Sequence, residues 1–317
     1  FANLWKKELY QVAEGFWYDN FANKYKSGMT HEFLLHFNVR DSVDNFRGIE
    51  RFIYEEFLKP RNFSIVAYYD ISRGLRFLEP GMQREFNKIT SNVASNLFMA
   101  PPSKIFPFID SALKNTKMAF FIDHIEKIIP SVDIGSMSME ERMSLIWLSE
   151  WSVNGTISSA GSVIVMMADN LAGVSREILK SSYRVEPLLV GLPDENQRLE
   201  YISYLLEKSS LKTKVTPQEF AKLSSGLSKN AIKDIALRAE AEDVPVSFEF
   251  IKEKKQSILN KEYGDVLEFI YPEIGFENIG GMEKVKNYLL KNVVEPVKKG
   301  DLRRVPMGIL LCGPSGT

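Results

Sequence analysis

Two hydrophobic rhythms run along the chain, and they change places near residue 193. In the first part, short dense apolar runs at residues 31–39, 63–69, 117–122 and 162–168 read as strands. Between them, stretches at 48–58, 82–96, 105–113 and 139–151 carry the three-to-four-residue spacing of helices. Strands alternating with helices predict a mostly parallel sheet with helices on both faces, an α/β fold. Ahead of it, Leu4, Trp5, Leu9, Val12, Phe16, Trp17 and Phe21 keep helical spacing, so residues 1–30 are expected to form a small helical element. After Pro193 the strand rhythm stops. Residues 195–208, 217–224, 230–242 and 247–261 all read as helices, and Thr216-Pro217 supplies an N-cap with proline in the first turn of the second. Tyr263-Gly264 and Tyr271-Pro272 then punctuate a linker. A helix over 283–294 follows, and the run Met307-Gly308-Ile309-Leu310-Leu311 reads as a buried parallel strand. The predicted divisions are 1–30, an α/β core over 31–193, an all-helical subdomain over 194–262, and a linker with the start of a second core over 263–317.

Composition narrows this only at a few points. A length of 317 residues fits two domains, and the 44% hydrophobic and 26% charged fractions are those of an ordinary globular protein. The formal net charge of −1 sets up no global field toward nucleic acid or acidic lipid. Cys312 is the single cysteine, which excludes an intramolecular disulfide and a multi-cysteine zinc site and fits a reducing compartment. Apolar runs such as 163–168 fall far short of the ~20 residues that span a bilayer. No membrane segment or signal peptide is expected, and a cytoplasmic location is. The three histidines, His31, His36 and His124, lack metal-ligand spacing, so no metal site is expected from them.

The chemistry announces itself at the end of the chain. Phosphate loops follow G-x-x-x-x-G-K-[ST], in which glycine amides cradle phosphates, lysine reaches the β- and γ-phosphates and the hydroxyl holds Mg²⁺. Gly313, Pro314, Ser315, Gly316 and Thr317 supply the first half of this pattern after an apolar run. The sequence then stops before the glycine, lysine and hydroxyl, as a piece of a longer polypeptide would. Upstream, Ile274 to Lys286 carries Ile279-Gly280-Gly281, and Val294-Glu295-Pro296 follows. Together with the half loop, these stretches resemble the opening of an AAA ATPase module. The resemblance implies that Ile279, Gly280 and Gly281 lie against adenine, where missing side chains let the backbone come close.

With that family in mind, the earlier α/β region resembles a degenerate copy of the same module, a P-loop nucleoside-triphosphatase core followed by a helical lid. Met118-Ala119-Phe120-Phe121-Ile122-Asp123 is similar to a Walker B strand, an apolar strand ending in a carboxylate that orders Mg²⁺ or its waters. Active members place glutamate next. Here it is His124, whose neutral imidazole has no fixed negative charge to offer, so the site is expected to be inactive. The first phosphate loop is expected after the second strand, at Asp70-Ile71-Ser72-Arg73-Gly74-Leu75-Arg76, where one glycine remains, Asp70 repels phosphate, and Arg73 and Arg76 are expected in salt bridges. Asn170, after the strand at 162–168, resembles a sensor-1 residue. Arg184 is a candidate arginine finger when counted forward from Asn170. Counting back from Leu192-Pro193-Asp194 instead puts Tyr183 and Glu186 at the expected arginines, and the two counts disagree by one residue. Ser225 to Ile232 resembles the start of the lid helix that follows a nucleotide pocket.

The resemblance implies the N-terminal part of a tandem AAA ATPase that unfolds, disassembles or otherwise remodels proteins. ATP and Mg²⁺ belong to the complete second module and neither to the first, which serves assembly and coupling. Self-association into a ring, typically a hexamer, and a protein substrate are the implied partners. Nucleic acid and membrane are not. A non-catalytic scaffold or adaptor is the alternative from another class, and a nucleic-acid remodeller of the same superfamily is a third reading, opposed by the near-neutral charge. The residues after Thr317 separate enzyme from scaffold. Gly-Lys-Ser/Thr, with a later hydrophobic-Asp-Glu, is expected when the longer sequence is read; their absence would favour the scaffold.

Overall fold

The computed structural model describes residues 16–44, 46–91, 99–180, 182–209, 211–263 and 275–298, and near the end 301, 304–306, 308–310 and 312. The chain divides into two units, residues 1–258 and 259–317. Within the first unit the described residues form six strands: β1 (Glu32–Phe37), β2 (Ile65–Asp70), β3 (Gly74–Phe77), β4 (Met118–Ile122), β5 (Val163–Ala168) and β6 (Val185–Val190). Their order across the sheet is β3-β2-β4-β5-β1-β6. Every pairing is parallel except the β2–β3 hairpin. All four expected strands are present, each end within two residues of its expected place.

Two strands were not legible in the sequence. Both are edges, and an edge strand is covered less completely, so its apolar run is broken. β6 carries Glu186 and Pro187 in a half-exposed pattern, and proline is tolerated there because one side of an edge strand makes no ladder. β3 is only four residues long.

Among the described residues six helices cover the sheet: α1 (Phe16–Lys26), α2 (Ile49–Ile53, continued by a π turn, Tyr54–Leu58), α3 (Pro80–Ile89), α4 (Pro102–Asn115), α5 (Met139–Val153) and α6 (Gly155–Ala160). Alternate strand residues divide between two cores, as the period of two requires. Leu34, Phe120, Ile122 and Met166 pack with Ile105, Phe106 and Ile109 of α4 and with Leu148 and Trp151 of α5. Phe33, Leu35, Phe121 and Val165 pack on the opposite face with Phe21 of α1 and Ile49, Ile53 and Phe57 of the α2 segment. Burial on both sides explains why β4 and β5 are apolar without interruption. The expected helix over 82–96 is α3, ending at Ile89; residues 92–96 of that expectation lie outside the described ones, as do residues 1–15 of the N-terminal element.

Beyond Pro193 the described residues are helical: α7 (Glu195–Lys208), α8 (Pro217–Leu223), α9 (Lys229–Ala241) and α10 (Phe248–Tyr263). Asp194 with Gln197 and Thr216 with Glu219 form reciprocal capping boxes that start α7 and α8. Tyr201, Ile202, Phe220, Ile232, Ile235 and Ile251 make a separate small core. The buried Arg198 ties α7 to α8, donating from Nε to the Ala221 carbonyl at 2.8 Å and from Nη1 to the Pro193 carbonyl at 2.6 Å.

In the second unit, α11 (Glu283–Leu289) continues through a π turn, Leu290–Val294, and Glu295–Lys298. The terminal strand expected over 307–311 is not formed at Gly308, Ile309 or Leu310, and Leu310 is 88% exposed. A parallel strand depends on neighbours for its ladder and on helices for its faces. The described residues of this unit include no other strand.

Glu32 opens β1 with 0% exposure, and neither carboxylate oxygen has a hydrogen-bond partner among the described residues. Burial pushes its pKa well above the ordinary carboxylate value. A raised folded-state pKa means that the group's stability contribution is intact below its unfolded pKa and is lost as pH climbs through the folded one. Glu32→Met is therefore expected to stabilise the protein by about 1–3 kcal/mol near neutral pH, with a smaller gain at pH 5. Urea unfolding at both pH values, followed by tryptophan fluorescence, checks this. Equal midpoints for variant and parent at neutral pH would contradict it.

Candidate functional site

Open parallel sheets bind ligands outside the carboxyl ends of their strands, where the strand order reverses. In this sheet the chain leaves β1 toward β2 on one side and later passes over β1 to place β6 on the other. The carboxyl ends of β1, β4 and β5 therefore meet at one spot. β4 delivers Asp123 and His124, β5 delivers Asp169 and Asn170, and β1 runs into the loop 38–48.

The centre of that spot is Arg40. Its Nη1 donates to both carboxylate oxygens of Asp123, at 2.6 and 2.7 Å. Nε donates to Asp169 Oδ1 at 2.8 Å, and Nη2 lies 3.0 Å from His124 Nδ1. A guanidinium only donates, so Nδ1 is the acceptor in this contact. The Asp123 side chain is 9% exposed and also accepts the His124 backbone N–H at 2.8 Å. Burial alone would lower the Arg40 pKa, but hydrogen bonds and charge from Asp123 and Asp169 outweigh it and raise it. His124 adopts a left-handed backbone, with φ of 52°. This is uncommon for a residue with a side chain, and it turns the chain sharply as it leaves β4.

A divalent cation does not fit this arrangement. The carboxylate that an NTPase of this fold would turn toward Mg²⁺ already holds a guanidinium with both oxygens. His124, Glu126 and Asp169 bring possible ligand atoms within 4.8 Å of one another, yet Arg40 binds two of those three residues and adds positive charge where a metal would enter.

The phosphate loop expected at residues 70–76 is elsewhere. Asp70 and Gly74 pair across the β2–β3 hairpin, Gly74 taking φ of 68°, and no helix follows directly. Asp70 is almost wholly buried and organises this turn. Oδ1 accepts from the Ser72 amide at 3.0 Å, the Ser72 hydroxyl at 2.6 Å and the Arg73 amide at 2.8 Å. Oδ2 accepts from Arg73 at 2.9 Å and Arg76 at 3.0 Å, so both arginines are in the salt bridges the sequence led us to expect. Burial raises the Asp70 pKa, but the bonds from Ser72 and Arg73 outweigh it and bring it down to about 2. The strand–loop–helix connection that a phosphate loop requires is instead β1, residues 38–48 and α2. Its junction with the helix reads Arg47-Gly48-Ile49-Glu50, with neither lysine nor hydroxyl. Burial chiefly, and then the charge of Asp123, raise the pKa of Glu50 in the first turn of α2.

The same loop reaches the helical subdomain. Asp41, 4% exposed, accepts from the first two amides of α9, Lys229 N at 2.8 Å and Asn230 N at 2.9 Å. Asn230 Nδ2 donates to the Arg40 carbonyl at 2.9 Å, and Lys229 Nζ donates to the Val43 carbonyl at 2.8 Å. Ser228 Oγ accepts from the third amide, Ala231 N, at 3.1 Å.

Of the residues singled out in the sequence, Asp123 and His124 come together here, and Asn170 lies beside them. Its Oδ1 accepts from Ala172 N at 2.9 Å and so caps a turn. Arg184 precedes β6 at the amino ends of the strands, opposite this cluster, and its exposed side chain takes no part in it. Its carbonyl accepts from the Thr30 hydroxyl. Ile279, Gly280 and Gly281 lie in the second unit and are exposed, the Ile279 carbonyl accepting from Lys286 Nζ. Gly313, Pro314, Ser315, Gly316 and Thr317 lie outside the described residues. Sequence reasoning missed Arg40, Asp41 and Lys229. The available signal was the apolar run 31–39 followed by a loop and the helix at 48–58.

Comparison with known proteins agrees with this architecture. A family model described as the AAA+ chaperone N-terminal Rossmann-like domain matches residues 14–190, and one for the AAA+ chaperone second helical domain matches residues 196–264. Among curated proteins, the Cell division cycle protein 48 homolog of Archaeoglobus fulgidus is 26% identical over 253 residues, covering 71% of this chain and 34% of its own length. The ATPase family gene 2 protein of Schizosaccharomyces pombe is 23% identical over 311 residues, covering 88% of this chain and 37% of its own. The Cell division control protein 48 homolog C of Arabidopsis thaliana is 22% identical over 278 residues, covering 73% and 34%. The chain thus spans little more than a third of the length of these relatives. No helix among the described residues is long and apolar enough to cross a membrane. A parallel sheet in the order β6-β1-β5-β4-β2, a helical subdomain after it and family models matching both parts lead to one conclusion: the chain belongs to the AAA+ chaperone family.

Proposed function

We propose that this chain is the first-module portion of a tandem AAA+ ATPase that remodels proteins, and that the first module holds no ATP·Mg²⁺. The observation that carries the reading is the Arg40 guanidinium on Asp123, which fills the cation position with a side chain of the protein itself. The junction Arg47-Gly48-Ile49-Glu50 supports it, because no lysine is available for the β- and γ-phosphates and Glu50 adds a carboxyl group where the hydroxyl would stand. His124 supports it further. With Arg40 Nη2 at 3.0 Å, its Nδ1 is already engaged and is not free to polarise a water.

In this reading Gly313 to Thr317 open the working phosphate loop of a second module, with Ile279, Gly280 and Gly281 toward the adenine, and that module turns over ATP with Mg²⁺. The first module serves assembly and coupling. A ring, typically of six copies, is the form in which Arg184 acts, since a finger stabilises charge on a phosphoryl group held by the neighbour. Its place at the far end of the sheet from its own cluster is consistent with action in a neighbour. The chaperone families matched here support a protein as the client, and a cytoplasmic location follows from the same reading.

Calorimetry with ATP·Mg²⁺ tests the central point. Residues 1–317 are expected to bind with Kd above about 1 mM, weaker than roughly 4 kcal/mol, while the protein extended through the second module binds one nucleotide per chain. Micromolar binding to residues 1–317 that is lost in Asp123→Ala would overturn the reading.

Two substitutions sharpen it. His124→Glu is expected to yield no ATP turnover in residues 1–317, since the Arg40 guanidinium and the missing lysine remain; a phosphate-release assay reads this directly. Arg40→Ala is expected to cost about 1–3 kcal/mol of stability, because it strands the nearly buried Asp123 carboxylate, and to create no turnover either. An unchanged unfolding midpoint would show that the Arg40 contacts contribute nothing to the fold.

A further inference from the structure

The loop 38–48 does more than block a cation. A helix N-terminus presents free amides and the positive end of the helix dipole, a ready seat for an anionic group. In α9 that seat is taken. Asp41 occupies the first two amides, Lys229 N and Asn230 N, and Ser228 Oγ the third. One residue earlier in the same loop, Arg40 occupies the acidic cluster at the carboxyl ends of β4 and β5. Adjacent residues of one loop therefore fill an anion seat on the helical subdomain and a cation seat on the α/β core.

We propose that Arg40 and Asp41 together act as a built-in ligand that clamps the helical subdomain against the core in one posture, independent of nucleotide. The inference rests on the reading of the first module given above. In a ligand-driven module, a bound molecule bridges core and lid, and their relative posture changes when it leaves. Here the bridge is covalently part of the core. Its connections are short: 2.8 and 2.9 Å from Asp41 to the two amides, 2.9 Å from Asn230 Nδ2 to the Arg40 carbonyl, and 2.8 Å from Lys229 Nζ to the Val43 carbonyl. Asn38 Nδ2 braces the bridge from the core side, 3.2 Å from Asp41 Oδ2 and 3.2 Å from the Gly191 carbonyl. Lys229 is 4% exposed and stands over the Tyr201 ring, its ammonium 5.8 Å from the centroid, so this part of the clamp is buried. Burial lowers the Lys229 pKa, with the charge of Asp41 opposing that shift. Such a module transmits force or position as a rigid element, and its lid does not cycle.

Spin labels on the exposed positions Asn115, at the end of α4, and Glu240, in α9, read the clamp as an interspin distance. The background is the full chain carrying Cys312→Ser, Asn115→Cys and Glu240→Cys. The parent is expected to give one narrow distance distribution, unchanged by saturating ATP·Mg²⁺. Asp41→Ala is expected to widen it by roughly twofold or more, as loss of the bridge frees a hinge between two packed bodies. Asp41→Asn keeps an acceptor and is expected to lie between the two. If Asp41→Ala fails to fold by circular dichroism, Asn230→Ala, which removes only the bond to the Arg40 carbonyl, takes its place and is expected to widen the distribution less. A broad distribution in the parent, or a narrow one in every variant, overturns the clamp. Nucleotide binding by calorimetry with an unchanged narrow distribution would instead overturn the inactive first site and leave the clamp standing.

Discussion

Three parallel strands end side by side at the switch point of the sheet, and two of them end in acid. Asp123 and Asp169 come from β4 and β5, with His124 beside them, in a place partly shielded from water. Carboxylates gathered this way need a cation, because taking charge out of water costs several kcal/mol unless it is paired. The chain supplies the cation from β1. The same stretch that brings Arg40 to that point, against His124, sets Asp41 on the first amides of α9.

Around this pair the fold is conservative. A parallel sheet is stable only when both faces are covered, and α1 and α2 cover one face while α4 and α5 cover the other. The helical subdomain has its own small core and reciprocal caps. It is joined to the α/β core by the chain at Pro193, through Arg198, and by the polar bridge from the loop. That bridge is made of directional hydrogen bonds to a charged group, which fix orientation more sharply than apolar contact does.

At the strand ends the chain's own side chains pair the buried charges. The hairpin at Asp70 does the same on the edge of the sheet: its buried acid builds a turn, held by Ser72, Arg73 and Arg76. Glu32 is the exception. It is buried on the central strand without a partner, and no contact in the structure explains its presence.

Local pattern alone determined the helices after Pro193 and the four covered strands, because periodicity of apolar residues is a short-range property and survives reading one window at a time. It also marked Asp123, since an apolar run ending in acid is visible in the sequence. The edge strands β3 and β6 escaped, for half-exposed strands lack that pattern. The identity of the phosphate-loop strand escaped too. Two strand-and-loop candidates at 31–48 and 63–76 look alike in one dimension, and only the order β3-β2-β4-β5-β1-β6 separates a central strand followed by a helix from an edge hairpin. Arg40 meets Asp123 across 83 residues of chain and Asp41 meets Lys229 across 188. No window of sequence contains such pairs. Their partners are chosen by which strand ends the sheet brings together, and so the charges that set this module's character became readable only in three dimensions.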